Sequence, residues 1–309
     1  MKKNLRVAAT VAVCALFATT LLPVGSAHAA EYRLAVEPSF SPEQAAEVYQ
    51  PLVNYLNRST GHHFELALAS DYHAYWRDLR DNTPVDFAFD EAHFVDYRLQ
   101  FHGFVPVART AEPTVYALIA LPDYEDQDPR VLIAKPVACM SAPSLGFALL
   151  TEIYHNNPLA QPIVRSEAAS WRDAVQMVFG GEAEGAIVPA HLAEEFYNLP
   201  TLVLTKPLPG RAFTAAPSVP VEVVAAVAEA LEALHEDPDL YNVLAELGAT
   251  RFVAATAAEY AGNEKILSGF YGYRKATRAA TKPDATAPTE AAETTDTTTP
   301  AEADAAPTP

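Results

Sequence analysis

The sequence of 309 residues predicts an α/β fold made of two lobes. Short apolar segments of strand length alternate with longer segments that have the periodicity of amphipathic helices, which is the order found in sheets covered by helices. The alternation occurs twice, before and after a polar turn at residues 123–129. Proline-containing segments near Leu121-Pro122 and at residues 207–209 are the two points where we expect the chain to cross between the lobes. A cleft is therefore expected between them.

Two terminal segments are expected to lie outside the lobes. Residues 1–29 combine a basic start, an apolar stretch and the small-residue site Ala27-His28-Ala29, which is typical of a cleaved signal peptide. Residues 276–309 are rich in Thr, Ala, Pro, Glu and Asp and contain no aromatic residue, so we expect an acidic, disordered tail. Between these segments we expect lobe 1 to contain residues 30–120 and 207–275, and lobe 2 to contain residues 121–206.

The elements of the first lobe start with an expected strand at residues 32–36. Ser41, Pro42 and Gln44 then carry the signals of a helix start: a capping serine, a proline at the first helical position and a glutamine that completes a capping box. Gly61 is the expected end of this helix, since glycine readily adopts the left-handed conformation of a C-cap. The elements expected next are a strand at 64–68, a helix that starts at the capping residue Asp71, a buried strand at 85–89, a following helix, and strands at 104–108 and 115–120.

The second lobe is expected to repeat this alternation with shorter elements. Its expected elements are a strand at 136–140, a helix at 147–155, a strand at 162–165, a helix at 171–179 capped by Ser170, a strand at 185–188, a helix at 191–197 and a strand at 201–205. From Arg211 onward the chain is expected to return to the first lobe and to end in helices at 221–235, 239–247 and 263–271.

The net charge of −18 restricts the possible partners. Removal of the leader takes away three further positive charges, on Lys2, Lys3 and Arg6. Such a charge argues against a nucleic acid or an anionic membrane surface as the partner. It is compatible with a small anion, because local N–H groups and helix dipoles bind an anion independently of net charge. Cys139 is the thiol that remains after cleavage, and its apolar segment predicts a buried core residue.

Asp90 and Glu91 are the first candidates for a functional site. They follow the buried strand 85–89, at the carboxyl end where open α/β sheets bind their ligands and where the next helix starts with free N–H groups. Together with His73 and His93 they are also the candidates for a metal site, although no HxH or HExxH spacing places two imidazoles on one face. The sequence contains no nucleophile elbow, phosphate-binding loop or dinucleotide motif, so we expect neither an enzyme nor a cofactor.

Several segments spread over both lobes carry a family resemblance. They are Pro51-Leu52-Val53-Asn54-Tyr55-Leu56 with Thr60-Gly61, Asp71-Tyr72, Val85-Asp86-Phe87-Ala88 with Phe94, Pro143-Ser144 with Gly146, and the passage 175–188. In this order, residues 32–273 resemble the phosphate, phosphite and phosphonate substrate-binding proteins of ABC transporters, which have the type 2 periplasmic binding protein fold. The resemblance implies a mixed sheet flanked by helices in each lobe, two hinge crossings, and a cleft lined by Tyr72, Ser141 and Ser144.

The chain departs from the family pattern at two points. Ser170-Trp171 stands where the family often has a Ser-His pair, and only Ser141 and Ser144 represent a turn that is rich in Ser and Thr in the family. Trp171 is therefore a candidate for stacking on an organic or planar ligand. Because an ionised carboxylate only accepts hydrogen bonds, Asp90 and Glu91 suit an oxyanion that keeps a proton to donate.

These observations predict an exported, periplasmic substrate-binding protein that captures a small oxyanion such as phosphate, phosphite or a phosphonate and delivers it to an ABC permease. The predicted ligand-binding residues are Tyr72, Asp90, Glu91, Ser141, Ser144, Ser170 and Trp171. Two alternatives stay open. One is a ligand-sensing receptor subunit for a membrane sensor kinase, and the other is a protein that binds a metal or an organic anion. In each case closure of the lobes would bring donors from both sides to the ligand.

Overall fold

Two β-sheets form the framework of residues 30–273, which are the residues that the computed structural model describes. The predicted leader at 1–29 and the predicted tail at 276–309 lie outside these residues. The strands in chain order are β1 (Glu31–Val36), β2 (His63–Leu68), β3 (Phe87–Asp90), β4 (Val105–Thr110), β5 (Tyr116–Ala120), β6 (Pro136–Ala138), β7 (Ile163–Arg165), β8 (Gly185–Pro189), β9 (Thr201–Leu204), β10 (Ala212–Ala215) and β11 (Phe252–Ala254).

Both sheets are mixed, as the family resemblance implied. The first sheet has the strand order β11-β4-β10-β3-β1-β2, in which β1 is parallel to β2 and β3 while β10 is antiparallel to β3 and β4. The second sheet has the order β7-β6-β8-β5-β9, in which β6 is parallel to β7 and β8 while β5 is antiparallel to β8 and β9. The predicted two-lobe α/β architecture is therefore confirmed.

Helices cover both sheets. The α-helices of the described residues are α1 (Pro42–Thr60), α2 (Tyr72–Arg80), α3 (Ala92–His102), α4 (Leu145–Ile153), α5 (Trp171–Phe179), α6 (Ala190–Ala193), α7 (Val221–Ala233), α8 (Tyr241–Glu246) and α9 (Ala257–Tyr260). The predicted capping box of α1 is present, because Ser41 and Gln44 each accept a hydrogen bond from the other's backbone N–H. Gly61 ends α1 with a φ of 71°, as predicted. None of the helices within residues 30–273 has the length and apolar character needed to span a membrane.

The first crossing between the lobes lies earlier in the chain than predicted. β5 pairs with β8 and β9, so residues 116–120 belong to the second lobe and not to the first. The chain therefore crosses between Thr110 and Tyr116, ahead of Leu121-Pro122. A buried apolar strand looks the same in either sheet, and for this reason its sequence does not show which partner it takes. The second crossing lies where it was predicted, and Leu208 within it exchanges two backbone hydrogen bonds of 2.9 Å with Thr114 of the first crossing.

Smaller differences occur in the short elements. The strand β11 and the helix α9 were not predicted, since three- and four-residue segments are too short to show a period. The predicted helix at 191–197 is helical only over Ala190–Ala193. The predicted helix at 263–271 is a 3₁₀-helix, Asn263–Gly269. Cys139 is fully buried, as expected of a core residue.

The core of the first lobe is aromatic and determines where β3 directs its side chains. Phe87 and Phe89 of β3 are fully buried, and the Phe89 ring stacks on Phe213 of β10 at 4.6 Å between centroids. Phe94 of α3 lies against the rings of Tyr75 and Trp76 of α2. Because β3 is covered on both faces, all four of its residues are buried, and the chain reaches the second lobe only at Glu91, which follows the strand.

Candidate functional site

A cavity of about 450 Å³ lies between the lobes and beside the two crossings. Both lobes and the first crossing contribute to its walls. The wall residues from the first lobe include Ser39, Phe40, Gln44, Glu91, Arg211 and Glu246, those from the second lobe include Ser170, Trp171, Arg172 and His191, and those of the crossing are residues 110 and 112–115. A cavity of this volume is typical of a site for a small molecule.

Two carboxyl groups and one guanidinium group form a buried cluster at the wall of the cavity, which we call the Glu–Glu–Arg cluster: Glu37, Glu91 and Arg211. Glu37 ends the first strand and is 1% exposed, and Glu91 follows the neighbouring strand β3 and is 3% exposed. The backbone N–H of Glu91 donates to Oε2 of Glu37 at 3.1 Å. Nη2 of Arg211 lies 3.6 Å from Oε1 of Glu37. The cluster therefore contains two acids and one permanent cation.

Burial raises the pKa values of both acids of the cluster. Burial, with the neighbouring charge of Glu91, raises the pKa of Glu37 well above its ordinary value. Burial also raises the pKa of Glu91 to about 7, although Arg211 and a hydrogen bond from Tyr116 act in the opposite direction. With a proton on Glu37 and with Glu91 ionised, the charge of Arg211 leaves the Glu–Glu–Arg cluster without net charge.

Arg211 is the functional candidate that the sequence reasoning did not identify. Burial opposes its charge, but Tyr49, Glu37 and Glu91 hold its pKa above the ordinary value, so the guanidinium stays protonated. It lies over the Phe89 ring at 4.5 Å and donates to the Tyr49 hydroxyl at 3.3 Å. Its Nε is buried and has no hydrogen-bond partner. The available signal was a basic residue directly after the second crossing, where the chain returns to the first lobe.

The starts of three helices also lie at the cavity wall. The residues that lead into α1 (Ser39, Phe40), α3 (Glu91) and α5 (Ser170) all line the cavity. The N-terminus of a helix carries free N–H groups and a partial positive charge, which favour an anion. Ser170 caps α5 by accepting from the N–H of Asp173 at 3.1 Å. The start of α3, after the buried strand β3, is one of the positions at which the sequence predicts a ligand site.

Three of the predicted ligand-binding residues lie on the cavity wall: Glu91, Ser170 and Trp171. Trp171 is 6% exposed and packs edge-on against Tyr116, with ring centroids 5.3 Å apart. A fourth, Tyr72, lies behind the wall. It is 1% exposed, its hydroxyl has no hydrogen-bond partner of regular geometry, and Ser39, Glu37 and Glu91 are its polar neighbours. Tyr72 thus supports the wall from the side of the core.

Asp90 has a different place from the one predicted. Its carboxylate is fully buried and pairs with Arg98, whose Nε donates to Oδ2 at 2.7 Å. Its other oxygen accepts a hydrogen bond from the Tyr75 hydroxyl. Successive residues of a strand point to opposite sides, and Asp90 is accordingly directed into the lobe while Glu91 reaches the cavity. The structure therefore assigns Asp90 to a buried ion pair and not to the cavity wall.

Ser141 and Ser144 were predicted on the cleft, but neither is among the residues that line this cavity. Ser144 is fully buried and caps α4, accepting from the N–H of Phe147 at 3.2 Å and donating to the carbonyl of Met140 at 3.3 Å. Ser141 accepts through its carbonyl from the N–H of Ser144 at 3.0 Å. The Ser144 hydroxyl is therefore engaged within the turn that starts α4, whereas Ser141 joins this turn through its backbone and is half-buried.

Four contacts join the two lobes around the cavity. The Tyr116 hydroxyl donates to Oε1 of Glu91 at 2.7 Å. The other contacts pair His93 with the Pro143 carbonyl at 3.1 Å, Arg172 with Glu246 at 3.3 Å, and Phe147 with Phe270 at 5.9 Å between ring centroids. These four contacts therefore join side chains of the first lobe to the second lobe.

The histidines were the candidates for a metal site. Burial lowers the pKa of His93 to about 3, so its ring is neutral. Because a carbonyl only accepts, Nε2 of His93 carries the proton that it donates to Pro143. His73 and His93 do not join Asp90 and Glu91 in a cluster, and residues 30–273 contain no group of three or more His, Cys, Asp or Glu side chains placed to hold a metal ion.

A family model matches most of the chain. It describes the periplasmic phosphonate-binding protein of ABC transporters, and the match covers residues 34–260. A comparison with curated proteins found no match.

Solved structures share the fold at low sequence identity. PhnD1 from Prochlorococcus marinus in complex with methylphosphonate aligns with a TM-score of 0.66 and 12% identity, covering 77% of this chain and 97% of that chain. A binding protein component of an ABC phosphonate transporter from Pseudomonas aeruginosa aligns with a TM-score of 0.61 and 15% identity, covering 74% and 83%. A Xanthomonas citri protein bound to ATP aligns with a TM-score of 0.58 and 14% identity, covering 77% and 96%. At such identities the likeness concerns the fold alone.

Proposed function

Because the matched residues make up more than half of its length, the chain belongs to the periplasmic substrate-binding proteins of phosphonate ABC transporters, and from this premise we propose that it captures a small organic oxyanion in the cavity between its lobes. The phosphonate that the Prochlorococcus protein holds is one ligand of this class. The captured ligand is passed to the permease of an ABC transporter, and the leader predicted at residues 1–29 exports the chain to the periplasm.

One observation carries this proposal: the guanidinium of Arg211, whose side chain is 11% exposed, lies on the wall of the interlobe cavity, and its buried Nε is without a hydrogen-bond partner. A buried, charged donor that lacks a partner is costly unless a ligand completes it. Guanidinium groups bind the oxygens of phosphonates, phosphates and carboxylates through two parallel hydrogen bonds. The starts of α1, α3 and α5 add further positive potential at the same wall.

The size of the cavity favours an oxyanion that carries an organic group. Its volume of about 450 Å³ has room for about fifteen water molecules, so a bare tetrahedral ion leaves most of it unfilled. Phe40 and Trp171 provide apolar surface on the wall. In this arrangement the charged head binds at Arg211 and the organic substituent extends along these two rings.

Calorimetry with a panel of ligands tests the proposal. The panel contains phosphate, phosphite, methylphosphonate, phenylphosphonate, sulfate and acetate, with wild-type protein and the variants Arg211→Met and Arg211→Lys. A lost charged hydrogen bond is worth about 1.5–3 kcal/mol, so Arg211→Met should weaken binding of the best ligand by about 10- to 100-fold. Arg211→Lys keeps the charge but not the fork, and we expect an intermediate loss.

The matched control is Arg130→Met, because Arg130 is an exposed arginine that pairs only with its neighbour Asp128. Its affinity should equal that of the wild type. The proposal fails if no anion of the panel binds, or if Arg211→Met binds the best ligand as tightly as the wild type does.

A further inference from the structure

We propose that the site binds its anion together with one proton, and that Glu91 takes up this proton when the ligand does not bring it. This inference rests on the proposed function, because it concerns the same cavity. It makes capture of the ligand dependent on pH and distinguishes oxyanions that retain a proton from those that do not.

The first step is the charge of the cavity wall without a ligand. The backbone N–H of Glu91 donates to Oε2 of Glu37, both side chains are almost fully buried, and burial with the neighbouring charge of Glu91 raises the pKa of Glu37 well above its ordinary value. With a proton on Glu37, the charge of Glu91 is balanced by Arg211. The wall as a whole carries more carboxylates than guanidinium groups. The Glu–Glu–Arg cluster therefore has no positive charge to spare for an incoming anion.

The groups around Glu91 on the other packed elements do not change this balance. Tyr49 of α1, Tyr72 of α2 and Tyr116 of β5 are phenols whose pKa values are raised by burial, so they stay neutral. Asp90, next in the chain, is already paired with Arg98. Burial lowers the pKa of His93 to about 3 and lowers the pKa of His191 from its ordinary value of 6.5, so both rings are uncharged at pH 7 and above.

The second step is the arrival of the ligand. An anion bound to Arg211 lies beside the carboxylate of Glu91, and two groups that only accept hydrogen bonds repel each other. A proton between them converts this repulsion into a hydrogen bond. A phosphonate supplies the proton itself, because its second ionisation, like that of a phosphate ester, occurs near neutral pH. A sulfonate has no such proton, so Glu91 has to take one from solvent.

Methanesulfonate is therefore the informative probe, since it does not titrate and any pH dependence of its binding belongs to the protein. We would measure its Kd by calorimetry at pH 6, 7, 8 and 9 with wild-type protein and with Glu91→Gln. In the wild type, uptake of one proton should weaken binding about tenfold per pH unit above 7. In Glu91→Gln, the neutral amide can donate to the anion at every pH. Its affinity should be constant over the range and should exceed that of the wild type at pH 9.

Two further variants complete the test. Tyr116→Phe removes a hydrogen bond that stabilises ionised Glu91, so the decrease in affinity should begin at a higher pH; this variant also serves if Glu91→Gln does not fold. Glu65→Gln changes an exposed acid on β2 and should reproduce the wild-type profile.

The inference is wrong if the wild-type affinity for methanesulfonate varies less than threefold from pH 6 to 9. It is also wrong if Glu91→Gln shows the wild-type pH dependence, or if methanesulfonate binds to neither protein. When methylphosphonate still binds in those cases, the inference alone has failed. When no anion binds at any pH, the proposed function has failed with it.

Discussion

Replacing Asp90 by asparagine distinguishes the role that the structure gives this residue from the one that the sequence predicted. Asp90 is fully buried, and the side chain of its partner Arg98 is 5% exposed. Nε of Arg98 donates to the carboxylate at 2.7 Å, and the Tyr75 hydroxyl both donates to the carboxylate and accepts from Nη2 of Arg98. Asp90→Asn keeps the shape of the side chain but leaves the buried guanidinium without its counter-charge.

The expected loss of stability in Asp90→Asn follows from the geometry of this ion pair. Removing one partner of a buried ion pair costs about 3–5 kcal/mol, because the remaining charge stays buried. Arg98 also lies over the rings of Tyr75 and Phe104, at 5.8 and 5.2 Å, which offsets a small part of the loss. We therefore expect Asp90→Asn to lower the free energy of unfolding by about 3 kcal/mol. Since Asp90 is absent from the cavity wall, the affinity of the folded protein for its anion should change less than threefold.

Urea denaturation followed by the fluorescence of Trp76 and Trp171 measures the free energy of unfolding, and calorimetry measures the affinity. The control is Asp78→Asn, since Asp78 forms an exposed pair with Arg77 and should change the stability by less than about 0.5 kcal/mol. The double variant Asp90→Asn with Arg98→Met should recover part of the loss, because neither charge remains. A tenfold loss of affinity with a stability change below about 1 kcal/mol would contradict this prediction. Breaking a buried ion pair costs more than that, so such a result would mean that Asp90 contributes to binding and not to a buried pair with Arg98.

Two further predictions concern packing and pH. Gly146→Ala would place a methyl group 2.6 Å from the Trp171 ring, so thermal unfolding should show a free energy of unfolding that is lower by about 1–3 kcal/mol. The control Gly269→Ala adds its methyl group in open space and should leave the stability unchanged. Equal effects of the two substitutions would contradict the packing argument. The pKa of Glu91 is raised from 4.5 to about 7 in the folded state, which therefore binds more protons than the unfolded state between these values. The stability of the wild type relative to Glu91→Gln should be highest below pH 4.5 and should fall as the pH rises through 7. Curves of unfolding free energy against pH that run parallel for the two proteins would contradict this.

Much of the fold followed from local signals. The capping residues Ser41, Asp71 and Ser170 start helices as predicted, and Gly61 ends one. The helix predicted at 171–179 has those bounds in the structure. These signals are readable because a capping side chain bonds to the N–H groups of its own next turn, so the interaction lies within four residues of sequence.

The assignment of strands to sheets did not follow from the sequence. Residues 116–120 were assigned to the first lobe, yet β5 pairs with β8 and β9. Hydrogen bonds between strands join residues far apart in the chain, and a uniformly apolar strand carries no mark of its neighbours. The position of the first crossing was therefore a property of the tertiary structure.

The candidate site likewise combines residues that the sequence predicted with residues that only the tertiary structure brought together. The sequence by itself predicted a candidate site after the buried strand β3 and at the start of α5, and Glu91, Ser170 and Trp171, which it named from local pattern and family resemblance, line the cavity. Only the tertiary structure decided that Asp90 faces the core and that Arg211 joins Glu91. Arg211 reaches this place because β10 runs antiparallel to β3, with Ala212 opposite Asp90. The physical reason is that local bonding selects helices and strands, whereas the meeting of distant charges depends on how the strands pair.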